Sequence, residues 1–189
     1  DIVFYKEEDE TQDVRLQINF SQPLSLYTRL NSFALWQETK DSVQSSELRR
    51  AGLGVDHVFN SDFTFSQKFS VNFDDGKDFG SLTRLGFHAN DRLRLSASYD
   101  SFTTDIPTRA RVFDIESDKT TVDIHFRESD WRAASLSLSR HGFSDGNDRY
   151  QALLGYQQGL FIKNDWMMRL YLNFSFSKNS RKDAPYFNP

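Results

Sequence analysis

The chain has 189 residues, 27 acids against 23 bases and a net charge of -4, which fits one domain of ordinary size. It holds no Cys, which excludes a disulfide scaffold, a Cys-ligated metal and a thiol nucleophile. No apolar run approaches the roughly 18 residues of a spanning helix, and 18 Phe, 7 Tyr and 3 Trp are too many rings for a disordered chain.

The side-chain period is two almost throughout. After a short first segment at 2–5, residues 13–20 alternate Val14, Leu16, Ile18 and Phe20 with Arg15, Gln17 and Asn19. Segments follow at 24–37 and 47–59. Residues 63–73 set Phe63, Phe65, Phe69, Val71 and Phe73 against Thr64, Ser66, Lys68, Ser70 and Asn72. Next come 79–89 and 92–102, the latter with Leu93, Leu95, Ala97 and Tyr99 on one face. Segments 119–127 and 131–141 pair Val122, Ile124 and Phe126 with Ala134, Leu136 and Leu138. The last two are 149–162 and 166–177, where Met168, Leu170, Leu172, Phe174 and Phe176 share a face. This is strand alternation with one apolar and one polar side, so the fold is all-β and antiparallel, a meander of hairpins.

Connections alternate in length. Short turns fall at 21–23, 60–62, 90–91, 128–130 and 163–165. Longer loops fall at 6–12, 38–46, 74–78, 103–118 and 142–148. A membrane barrel separates its connections in this way, with short periplasmic turns and long outer loops. Aromatic residues collect at strand ends (Phe59, Phe63, Phe79, Trp131, Tyr150, Trp166), as in the interfacial girdles of such a barrel. The polar face shows no second core, so lipid outside and water inside explain the pattern best. The predicted architecture is an up-and-down transmembrane β-barrel. The rival is a soluble β-sandwich that binds carbohydrate, which needs a second sheet over the apolar face.

Three stretches resemble a known family. They are Asp105–Arg111 (Asp-Ile-Pro-Thr-Arg-Ala-Arg), Ser135–Asn147 with its Phe-Ser-Asp-Gly-Asn string, and Asn179–Pro189 ending Asp-Ala-Pro-Tyr-Phe-Asn-Pro. Together they resemble the C-terminal barrel of the poly-β-1,6-N-acetyl-D-glucosamine export porins (PgaA type), best over residues 105–189. The resemblance implies a Gram-negative outer-membrane location and a sixteen-stranded barrel. It implies passive export of a partly de-N-acetylated, partly cationic biofilm polysaccharide, with outer-membrane lipid and a periplasmic deacetylase as further partners. No cofactor and no catalysis are expected. This chain has about eleven strand segments and no helical repeat domain, so residues 1–189 read as a barrel domain incomplete at its C-terminal end. A generic diffusion porin is the alternative inside the membrane class.

By parity the pore-facing charges are Arg15, Arg29, Arg50, Asp56, Lys68, Arg84, Arg92, Arg94, Asp100, Asp123, Arg127 and Arg169, nine bases and three acids. That wall suits a cationic polymer poorly. The acids sit in the loops instead, and one hypothesis is that the 103–118 connection folds inward. Asp105, Asp114, Glu116 and Asp118 would then form an acidic constriction. Tyr27 and Tyr171 fall on the polar face, where they can stack on sugar rings or sit as interface residues. His57, His88, His125 and His141 lack metal-ligand spacing. Asp74–Asp78 and Asp145–Asp148 only faintly resemble calcium loops. The net negative charge disfavours nucleic acid.

Overall fold

The computed structural model describes residues 2–6, 12–40, 45–73, 79–101, 103, 110, 115–129, 131–161 and 167–180, with side chains for all of these except 2–6, 12–13, 161 and 167–169. Eleven strands follow in chain order: β1 Ile2–Lys6, β2 Gln12–Pro23, β3 Thr28–Lys40, β4 Ser45–Val58, β5 Phe63–Asn72, β6 Phe79–His88, β7 Leu93–Asp100, β8 Ser117–Ser129, β9 Arg132–Phe143, β10 Asp148–Phe161 and β11 Met167–Asn179. They form one sheet in the order of the sequence, and every neighbouring pair is antiparallel. The second sheet that a soluble sandwich requires is not found among the described residues.

The register carries the alternation from strand to strand. Leu53 stands opposite Phe69, and Phe65 opposite Leu85. Ile124 lies between Leu95 and Leu136, and Leu154 between Leu136 and Phe174. One face of the whole sheet is therefore apolar, and it stays open: Phe69, Phe79, Phe174 and Phe176 are each more than half exposed. Every buried strand residue lies on the opposite face, including Leu35, Gln37, Arg50, Asn72, His141 and Phe143. That asymmetry marks the polar face as concave, and the right-handed twist of strands supplies the curvature.

Three of the short turns use one device. Ser25 Oγ accepts the backbone N–H groups of Tyr27 (3.1 Å) and Thr28 (3.0 Å). Asn60 Oδ1 does the same for Asp62 (2.9 Å) and Phe63 (2.8 Å), and Asn90 Oδ1 for Arg92 and Leu93 (2.9 Å each). Each closes with a backbone bond across the turn, from Leu24 to Thr28, Phe59 to Phe63 and Ala89 to Leu93. A short polar side chain that caps the two following amides is the usual reason for Ser and Asn in turns.

Three expected boundaries move. The long loop predicted over 38–46 shortens to 41–44, because β3 runs on to Lys40 and β4 begins at Ser45. The turn predicted at 21–23 lies at 24–27, because β2 runs on to Pro23 and Ser25 caps the reversal. Tyr27 is thus a turn residue rather than a strand residue. The long loop predicted over 142–148 is instead a tight hairpin turn at 144–147. The Phe143 N–H bonds the Asn147 carbonyl at 2.9 Å, and Gly146 takes the left-handed conformation at φ 80. Asn147 is 1% exposed, and its Oδ1 accepts the Ser180 hydroxyl at 2.7 Å. The Phe-Ser-Asp-Gly-Asn string is therefore a structural clamp. The Asp145 carboxylate caps the Asn147 amide, and Asp148 binds Arg140, so this acidic run is occupied within the hairpin.

Candidate pore surface

The concave face divides into two halves. Its buried side chains lie toward the long-loop end: Leu35, Gln37, Thr39, Arg50, Asn72, Ser117, His141 and Phe143; Gly54, under the Lys68 stem, is buried in the other half. Two residues of the connection between β7 and β8 are buried with them, Thr103 at 6% and Ala110 at 0% exposure. Toward the short turns the same face is open.

In the open half a recess of about 470 Å³ is lined by Tyr27, Arg29, Asp56, Ser66, Lys68 and Arg84, among others. Register explains the cluster. Arg29 faces Asp56, Asp56 faces Ser66, and Ser66 faces Arg84, so one row crosses β3 to β6. Strand spacing puts Arg29 and Arg84 about 14 Å apart at the backbone. Lys68 lies one row along, opposite Gly54. A side chain at Gly54 would meet the Lys68 stem, with the Cβ 2.5 Å from Lys68 Cγ. The missing side chain therefore lets the lysine lie flat against the wall. Asp56 accepts a hydrogen bond from Asn31 Nδ2 at 2.6 Å. Three bases thus surround one oriented carboxylate and an exposed tyrosine. Such a surface offers many hydrogen-bond donors to hydroxyl and carbonyl oxygens.

The other expected residues are spread over the wall. Arg94 lies on β7 opposite His88 and His125. Asp123 faces Ser96, whose hydroxyl donates to it at 3.1 Å, and Ser137. Asp100 ends β7 between Leu82 and Lys119. Arg92 and Arg127 sit exposed at the short-turn rim, where the Arg127 N–H bonds the Arg92 carbonyl at 2.8 Å. Tyr171 is exposed on the concave face opposite Gln157, five strands beyond the far side of the Tyr27 recess on β6. The two tyrosines do not share a site.

The constriction set is broken up. Asp105 and Asp114 lie outside the described residues. Glu116 is exposed, and its backbone carbonyl accepts the Ser144 N–H at 3.0 Å, which ties the connection to the 144–147 hairpin. Asp118 does not belong to the pore. It has the parity of Thr120 and Val122, and its carboxylate lies 2.5 Å from where a Cβ at Gly142 would stand, on the outer face. Trp131 is corrected as well. Its indole covers Gly159 on the concave side, with Cε3 2.7 Å from a Cβ built there, so it is a rim residue of the pore face rather than of the lipid girdle. Trp166 lies outside the described residues, and the Arg169 side chain outside the described side chains. Phe59, Phe63, Phe79 and Tyr150 keep apolar-face positions.

Two residues were missed. Asn31 orients Asp56. Phe33 lies on the concave face over Gly52, where a Cβ would run into its ring. The pair Gly52 and Gly54 inside one strand was the available signal, because a strand glycine often marks close approach of a neighbour. Among the described residues no group of His, Asp and Glu is placed to hold a metal ion.

Residues 9–189 match the family described as the PgaA membrane beta barrel domain. The chain belongs to that family. It is therefore a membrane β-barrel protein of the Gram-negative outer membrane, and the family is one of barrels rather than of enzymes. A solved "Bacterial polysaccharide outer membrane secretin" has the same fold, with a TM-score of 0.79 at 19% identity over 94% of this chain. The match spans 60% of that protein. No curated protein sequence matches. An open apolar face and a polar concave face are the two sides that a membrane barrel turns to lipid and to its lumen, with short turns on the periplasmic side and longer loops outside.

Proposed function

We propose that the protein is an outer-membrane porin that exports poly-β-1,6-N-acetyl-D-glucosamine by passive guidance along its concave face, without catalysis or cofactor. The observation that carries this reading is the division of that face: open and rich in hydrogen-bond donors at the periplasmic end, covered at the outer end. A polymer entering from the periplasm meets Tyr27, Arg29, Lys68 and Arg84 first. These donors suit the hydroxyl and acetyl oxygens of the sugar, whereas Asp56 and Asp123 are held ready as acceptors for the scattered amines. Contacts of this kind are individually weak, so a long chain can slide; tight binding at any one of them would stall it.

The burial of Thr103 and Ala110 supports an inward course for the connection between β7 and β8. Asp105, Asp114 and Glu116 are proposed as its acidic constriction. The wall is proposed to be completed by further strands. In the sheet described here β1 and β11 each have one partner, and a bilayer requires both edges to be paired. The name of the structural neighbour, a polysaccharide secretin, supports the substrate class.

The test is single-channel recording in planar bilayers with chitosan-type oligomers, before and after Asp105→Asn, Asp114→Asn and Glu116→Gln together. The expected result is weaker cation preference and shorter oligomer blockades in the triple variant. Unchanged selectivity and unchanged blockades would remove the constriction. Absence of any blockade by the oligomers in the parent protein would point to a generic diffusion porin.

A further inference from the structure

The outer face carries a second recess, of about 660 Å³, near the long-loop end of β8 to β11. It differs from the rest of the lipid belt. Arg140, Tyr150 and Lys178 stand in one register row across β9, β10 and β11. The next row toward the bilayer centre is Leu138, Ala152 and Phe176. Ala152 is the small member of that row, so a notch opens between a leucine and a phenylalanine directly below two cations. No carboxylate lines the recess. Asp148 stands behind it and accepts from Arg140 Nε (3.0 Å) and Nη2 (2.8 Å), which fixes the guanidinium in place. Asp118 lies farther toward the loops, opposite Gly142. Lys178 is exposed and makes no ion pair among the described residues.

We propose that this recess binds a phosphorylated, acylated glycolipid of the outer leaflet, with the phosphate between Arg140 and Lys178 and an acyl chain in the notch over Ala152. Both parts of the ligand are needed to explain both parts of the site. A free phosphate gains nothing from Leu138 and Phe176, and an uncharged lipid gains nothing from two bases raised above the apolar belt. Arg and Lys are the natural phosphate partners, and Tyr150 is an interfacial ring that suits the boundary between head group and acyl chain. The position agrees with the topology, because the recess is at the end that carries the longer connections and so faces the outer leaflet. The consequence is a lipid that seals β9, β10 and β11 against one another beside the 144–147 hairpin.

The test is native mass spectrometry of the protein in detergent micelles titrated with lipid A, with its dephosphorylated form and with inorganic phosphate as the other arms. Variants are Lys178→Gln, Arg140→Gln with Lys178→Gln, and Ala152→Leu. Lipid A should remain bound through delipidation. Its affinity should fall about tenfold in Lys178→Gln and further in the double variant, as expected for lost charge-assisted contacts. Dephosphorylated lipid should bind the parent protein as weakly as lipid A binds the double variant, inorganic phosphate should not compete, and Ala152→Leu, which fills the notch, should weaken both lipids. Equal affinity for both lipids, or no effect of Lys178→Gln, would overturn the proposal. Lys178→Gln carries the test alone if Arg140→Gln fails to give the heat-modifiable folded form.

Discussion

Arginine at position 154 should be far more damaging than arginine at position 137, although the two residues lie on adjacent strands. Leu154 is on the apolar face, flanked in register by Leu136 and Phe174. Its side chain is 45% exposed where the sheet meets lipid. A guanidinium there must enter hydrocarbon, which costs about 2–4 kcal/mol at the midplane of a membrane barrel. Every 1.4 kcal/mol is tenfold, so the folding equilibrium should fall by roughly 30- to 700-fold. Ser137 faces the pore between Leu153 and Asp123. An arginine there stays in water and has a carboxylate opposite it, so its cost should stay within about 1 kcal/mol. The assay is urea-dependent folding into lipid vesicles, followed by heat-modified gel mobility. Similar costs for Leu154→Arg and Ser137→Arg, or a larger cost for Ser137→Arg, would refute the assignment of the two faces.

Two further outcomes follow from local geometry. Asn60→Ala and Asn90→Ala each remove the acceptor of two backbone N–H groups at a short turn. Each should destabilise by about 1–2 kcal/mol in the same folding assay, whereas Ser61→Ala, which caps no backbone amide here, should stay near zero. Gly146→Ala places a Cβ on a left-handed residue and should cost about 1–2 kcal/mol, but Gly146→Asn should recover much of it because Asn tolerates that conformation. Equal losses for Ala and Asn would show that space rather than φ decides this position.

Most of the architecture was legible because strand structure writes its period directly into the sequence. Val14 to Phe20, Leu93 to Tyr99 and Leu170 to Phe176 each alternate cleanly, and each became a strand with the expected face outward. Parity alone grouped Asp56, Arg94, Asp123 and Tyr171 on one polar face, and the register puts them together on the concave face. Parity failed where the chain leaves the ladder. Trp131 belongs to a turn, and a turn residue takes its direction from caps and neighbours rather than from the pleat; Tyr27 is also a turn residue, yet it still lines the concave recess. Asp118 failed for the opposite reason: β8 starts at Ser117, earlier than its apolar pattern does, so a supposed loop carboxylate acquired a strand direction.

The sequence by itself determined that this chain makes one two-faced antiparallel sheet, because alternation needs only local side-chain chemistry. It also determined where that sheet must bend back, through Ser25, Asn60, Asn90 and Gly146. Tertiary structure decided what stands beside what. Arg29, Asp56, Lys68 and Arg84 come from four strands, and Arg140, Tyr150 and Lys178 from three. Their meeting depends on register, and a slip by one residue in any pairing would send each to the other face. Register is set by the sum of turn geometry and cross-strand packing over the whole sheet, which no single segment of the chain contains.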